Sequence, residues 1–322
     1  MNITTALARI LSPSIACRAI SLLLLVDSAG LLCAQDGAAP KGNREKLMSV
    51  PNVIDKLLAA EQVLSTPLSW TTRQSWNAGY KELYRQFHKD FIPADLEKRG
   101  RPVMAMALGV KASDGVLALQ ARDKEALDKC ADQIEAIAKK LGVPGEALGR
   151  AGLVKQHAAK NQWIEAFMYL GYLQQSVMND LEKYPEKKDD ALLIIMGSWI
   201  QGGEVMTNLI LRAHSTKSSN ILREPKMIDL MMSQLNDMKN EEYKKDPIVK
   251  AIQDILPEVR KKLNVDLYAP IPKEDVQWLQ TQFQGLVGKI VGGAGSATAP
   301  APATTPATAP KTEAPVAPPK AP

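Results

Sequence analysis

The feature that most constrains this chain is its hydrophobic period. Trp76, Tyr80, Leu83, Phe87 and Phe91 recur at i, i+4, i+7, i+11 and i+15, one continuous face of a helix. Leu127, Cys130, Ile134, Ile137 and Leu141 repeat the pattern, as do Trp163, Phe167, Leu170, Val177 and Leu181. No segment shows the two-residue alternation of a half-buried strand. The period therefore predicts an all-α multi-helix bundle of about nine or ten helices, with an aromatic share of only 5%. Helices are expected over about 44–64, 71–91, 102–120, 123–141, 145–159, 161–183, 188–213, 223–243, 246–263 and 273–291, with a polar loop at 215–220. Prolines and glycines punctuate them: Pro93 is read as the end of the second, and Gly142 with Pro144 as the end of the fourth.

The ends of the chain read differently. Arg9 and Arg18 precede an apolar run, "AISLLLLVDSAGLLCA", about the length of a signal-peptide core. Residues 1–34 are expected to be a leader cleaved between Ala34 and Gln35, which implies export to the periplasm or beyond. Lipid attachment at Cys33 is the alternative, disfavoured by the bulky Leu32 before it. Residues 35–43 read as a flexible segment and 44–291 as a single helical domain. From Gly292 the chain is rich in Ala, Pro and Thr and has too little apolar surface to offset its ordering entropy, so 292–322 is expected to be disordered.

Composition excludes several function classes. The formal net charge is +5, and losing the leader removes two arginines and one aspartate, leaving a mild and interspersed +4. No basic arm for nucleic acid is present. Only Cys130 would survive cleavage, so no internal disulfide forms, and its place on an apolar stripe predicts burial. His88, His157 and His214 are isolated, and no zinc, haem, dinucleotide, P-loop or nucleophile-elbow motif occurs. The expectation is no cofactor and no metal. Met227, Met231, Met232 and Met238 are read as core filler, and Arg73, Lys81, Arg85 and Lys89 as the solvated edge of the aromatic helix.

Two helices carry the candidate site. In "DDALLIIMGSWIQGGEVMTNLILRAH", Gly197, Gln201, Glu204, Asn208 and Arg212 form a narrow polar seam that Asp190 extends. The rest of that circumference is apolar, with Trp199 and Gly203 near its middle. A central helix is expected, with Gly203 letting a neighbouring backbone approach and the polar seam either solvated or satisfied internally. Four polar groups argue against a membrane span, and no transmembrane helix is expected in the mature chain. In 102–120, Asp114 falls inside an apolar stripe with Val103, Ala107, Val110 and Leu117, while Gly109 and Gly115 keep the helix thin. A buried acid must find a partner or take up a proton. Asp114, Glu204, Gln201, Asn208 and Trp199 are thus the candidate ligand-binding or structural polar residues, and Gly109 and Gly203 the close-packing ones.

Two stretches also carry a resemblance. "LGVKASD" (Leu108–Asp114), followed by a helix ending in Leu141-Gly142, and "GSWIQG" (Gly197–Gly202) together resemble an uncharacterised all-α family of exported bacterial envelope proteins, many lipoprotein-like. That family's pattern is LGVxx[AS]D with G[SG]W[IV][EQ]G. Lys111 and the Gly203-Glu204 pair depart from it. The resemblance implies fold and compartment only. The function expected is a non-enzymatic envelope protein that binds a protein partner or small ligand through helix faces. The alternative is a hydrolase-like enzyme using Asp114 and Glu204 in a helix-lined cleft, which needs both carboxylates open to a substrate.

Overall fold

A computed structural model describes residues 61–90, 93–184, 187–266 and 268–292. The expected leader, most of the helix at 44–64, Phe91 and the tail from 293 lie outside the described residues. Among the described residues the regular structure is all helical, with no strand and nine helices of seven residues or more.

The centre is built from two helices, α3 (Arg101–Gln120) and α8 (Lys188–Arg212). Almost every residue of α3 is buried, which fits its apolar circumference. By length and composition α3 could cross a membrane, yet 94% of its apolar window is enclosed by other helices, the place of a core helix. α3 and α8 meet backbone to backbone through two reciprocal glycines. A Cβ on Gly109 would lie 2.0 Å from the Ile194 carbonyl oxygen and 2.6 Å from the Ser198 nitrogen. One on Gly197 would lie 2.0 Å from the Met106 carbonyl oxygen. Ser113 and Ser198 hydrogen-bond at 2.9 Å in the same crossing. Gly197 thus belongs to packing, and the polar seam starts one turn later. Gly203 does not admit a backbone: its missing Cβ leaves room for the Phe283 ring, 2.7 Å from where that atom would be.

The other helices wrap this pair. α1 (Arg73–Phe87) starts at a Thr72–Ser75 capping box and buries Trp76, Tyr80, Leu83 and Phe87, as its period requires. The short α2 (Pro93–Lys98) leads to α3. α4 (Lys124–Lys140) is capped by Asp123 and lays Cys130 and Ile134 against Gly115 of α3. The segment expected as one helix over 145–159 divides at Gly149 into α5 (Gly145–Leu148) and α6 (Arg150–Ala159). α6 packs along α7 (Trp163–Lys183).

After α8 the expected polar loop is structured. Ser215 and Ser218 form a capping box for α9 (Thr216–Ser219), and a 3-10 turn, Asn220–Leu222, follows. Both Ser218 and Ser219 are fully buried, and Ser219 Oγ accepts from the Ile271 amide at 3.0 Å. The helix expected over 223–243 breaks into α10 (Pro225–Asn236) and α11 (Glu241–Lys245). The break has a cause outside its own sequence: Asp189 Oδ2 takes the amides of Lys239 and Asn240, at 3.0 and 2.8 Å. Met231 and Met238 are buried, as core filler should be. α12 (Pro247–Leu263) carries Pro257 inside it, and α13 (Lys273–Val291) closes the bundle with the left-handed Gly292 as its cap.

Candidate functional site

The end of α1 organises the buried charges. The aromatic helix was expected over about 71–91 but stops at Phe87, and His88 to Asp90 belong to no regular element. Stopping there strips backbone groups of their helical partners inside the protein, where an unmade hydrogen bond costs about 1–3 kcal/mol. Three of them are taken by side chains. The Phe87 carbonyl accepts from Gln201 Nε2 at 3.0 Å. The Lys89 amide donates to Asp114 Oδ2 at 2.9 Å, and the Lys89 carbonyl accepts from Lys111 Nζ.

Those side chains also bind one another. Lys111, one turn before Asp114 on α3, pairs with its Oδ2 at 2.9 Å, and both are sealed from solvent. Gln201 Nε2 donates to Asp114 Oδ1 at 3.0 Å. Lys89 reaches back to Glu204, with Nζ 3.4 Å from Oε1 and 3.3 Å from Oε2. Two ammoniums face two carboxylates, so the cluster is formally neutral. Burial pushes the Asp114 carboxyl above its ordinary value, opposed by the Lys111 charge and the Lys89 amide. Burial also raises Glu204, with Lys89 opposing and the Asp114 charge adding to the rise.

The structure therefore joins three of the five sequence candidates, Asp114, Gln201 and Glu204. Asn208 lies two turns beyond Gln201 on the same seam. Trp199 does not join them: it packs edge-on against Phe283, ring centroids 5.0 Å apart, on another side of α8. Asp190, at the head of the seam, has its own partners, Arg101 at 2.6 Å and the Tyr243 hydroxyl at 2.8 Å. Two members were missed. Lys89 was read as a solvated edge residue, yet its side chain is 13% exposed and bound to Glu204. Lys111 had a local signal, the three-residue spacing from Asp114 on one helix. His88, half-buried, stacks on Tyr84 at 4.7 Å and bonds the Tyr84 carbonyl at 2.7 Å.

The cluster is closed rather than open to a cleft. A cavity of about 610 Å³ is lined by Lys81, Arg122, Asp123 and Trp163 among others, and by no member of the cluster. Among the described residues no group of three or more His, Cys, Asp or Glu is placed to hold a metal ion. The Cys130 thiol sits 3.7 Å from the Tyr84 hydroxyl, and burial pushes its pKa up to about 12.

α7 presents the opposite situation. Ile164, Met168 and Tyr172, at i, i+4 and i+8, are 47%, 39% and 45% exposed. No charged residue occurs from Ala166 to Asn179. No family model, curated protein or solved structure matches the chain.

Proposed function

We propose that this is an exported, non-enzymatic envelope protein that docks a protein partner on the exposed face of α7. The observation that carries the reading is the row Ile164, Met168 and Tyr172 on a surface helix whose stretch Ala166–Asn179 is uncharged, with Glu165 beside Ile164 and the Arg150 guanidinium 5.8 Å from the Tyr172 ring. Apolar side chains aligned on one face, rather than scattered singly, mark interaction surfaces. Export rests on the apolar leader, and the two helix motifs that resemble the envelope family agree with it.

The geometry of the acids supports binding over catalysis. A general acid or base must reach its substrate within hydrogen-bond distance. Both oxygens of Asp114 are already occupied by groups of the protein itself, and Glu204 is buried beneath Lys89.

The test is site-specific photocrosslinking in the producing cells. A photoreactive residue replaces Met168, and a control replaces the exposed Lys250 on α12. A discrete adduct with one envelope protein at Met168, absent at Lys250 and lost on adding Tyr172→Glu, is the expected result. Equal labelling at both positions, or none at Met168, overturns it. Sequencing of the mature N-terminus tests export: Gln35 first is expected, and an intact Met1 contradicts it.

A further inference from the structure

The seam of α8 holds three buried oxygens with no hydrogen-bond partner among the described residues: Gln201 Oε1, Glu204 Oε2 and Asn208 Oδ1. Gln201 and Glu204 are 0% and 3% exposed. The orientation of the Gln201 amide is fixed by chemistry. Its Nε2 serves the Phe87 carbonyl and Asp114 Oδ1, both acceptors, so turning the amide over would set oxygen against oxygen twice. Lys89 Nζ lies 3.3 Å from Glu204 Oε2 but forms no hydrogen bond to it. Gln201 Oε1 and Asn208 Oδ1 thus have no partner among the described residues and Glu204 Oε2 has only the Lys89 charge, an uncommon concentration of unmet acceptors on one helix face.

All three atoms are acceptors, so whatever satisfies them donates. Charge then selects among donors. The groups facing the polar seam are Lys89 from the segment after α1 and Lys111 and Asp114 from α3, and with Glu204 they sum to zero. A further cation would leave an uncompensated charge buried, which the low dielectric of the interior strongly disfavours. Water is a neutral donor with two O–H groups, one for each of two acceptors. Residues three or four apart on a helix have Cβ atoms about 5–6 Å apart, so their side-chain ends come within reach of one water bonded at about 2.8 Å on each side.

We infer that α8 binds a short file of internal water molecules, one bridging Gln201 to Glu204 and one bridging Glu204 to Asn208. The file has an outlet. Burial relaxes from Gln201 to the partly exposed Asn208 and then to Arg212, whose guanidinium bonds Glu82 and Gln86 at the surface. Glu204 is thereby hydrated from one end while closed to larger molecules.

The experiment is a crystal structure of the full chain at about 1.5 Å, where ordered water is placed with confidence, from crystals with and without thallium(I) acetate as a monovalent-cation probe. Expected are peaks at hydrogen-bond distance from Gln201 Oε1 and Glu204 Oε2 that refine as water and carry no thallium signal. A thallium peak between those atoms overturns the inference in favour of a cation site. Empty density, with both oxygens paired to protein donors, overturns it outright. In solution, long-lived water cross-relaxation to the Gln201 side-chain amide protons is expected, and its absence contradicts the file.

Discussion

Replacing Asp114 with alanine tests how much of the fold hangs on one carboxylate. The substitution leaves the Lys111 ammonium without its counter-charge, and leaves the Lys89 amide and Gln201 Nε2 without an acceptor. Removing one partner of a buried ion pair costs about 3–5 kcal/mol. The two neutral donors add about 1 kcal/mol each. Water entering the space moderates the sum, so roughly 5 kcal/mol is expected, a large share of the 5–15 kcal/mol that holds a typical domain. In urea, with a slope of about 2–3 kcal/mol/M, the midpoint should fall by about 2 M. Asp114→Asn keeps one acceptor oxygen and should lose about half as much. The assay is equilibrium unfolding followed by far-ultraviolet circular dichroism. A cycle pairing Lys111→Met with Asp114→Asn should give a coupling of about 2 kcal/mol, because the second loss is smaller once the first charge is gone. A loss below about 1 kcal/mol for Asp114→Ala, or a coupling within the usual error of about 0.5 kcal/mol, would refute the reasoning.

Other outcomes follow from the same geometry. Gly109→Ala drives a methyl group into the Ile194 and Ser198 backbone and should cost about 3 kcal/mol or more, whereas Gly203→Ala meets only the Phe283 ring, which can turn, and should cost less; thermal melts of the two variants give the order. Gly171→Ala on α7 meets nothing within 4 Å and should raise stability by about 0.5–1 kcal/mol. Glu204 has a folded-state pKa above its ordinary 4.5, so the native state holds the extra proton between those two values. Its contribution to stability is fully present below pH 4.5 and is lost as pH rises through the folded value. The stability difference between the native chain and Glu204→Gln should therefore shift in favour of the native chain as pH falls from 7 towards 4.5, and a flat difference in urea titrations would count against it. Cys130, buried with its thiol pushed up to about 12, should react with a thiol reagent at pH 8 only at the rate of global opening.

What the sequence made legible was whatever local chemistry decides. α13 was read with the bounds it has, because Pro272 and Gly292 punctuate it. The burial of Asp114 followed from its place inside an apolar stripe, and the demand for a partner followed from burial. Two of the misplaced helix ends share one cause. α1 ends at Phe87 because Gln201 and Asp114, distant in sequence, take the backbone groups of Phe87 and Lys89. α10 stops at Asn236, and Asp189 binds the amides of Lys239 and Asn240 in the gap before α11. No hydrophobic period records a hydrogen bond made across the fold. Gly197 was read with the polar seam because a helical wheel gives its angle but not its neighbour, which is the Met106 carbonyl. Lys89 looked solvated for the same reason, since its position was projected along a helix that had already ended.

The central claim is that buried side chains of α3 and α8 fasten the chain where α1 ends. Hydrogen exchange at the Lys89 amide tests it most directly. That amide lies beyond the end of α1 with no helical acceptor, yet it donates to a carboxylate sealed from solvent. Its exchange should match the slowest amides of α3 and require global unfolding. Fast exchange, at the rate of an ordinary surface loop, would contradict the claim.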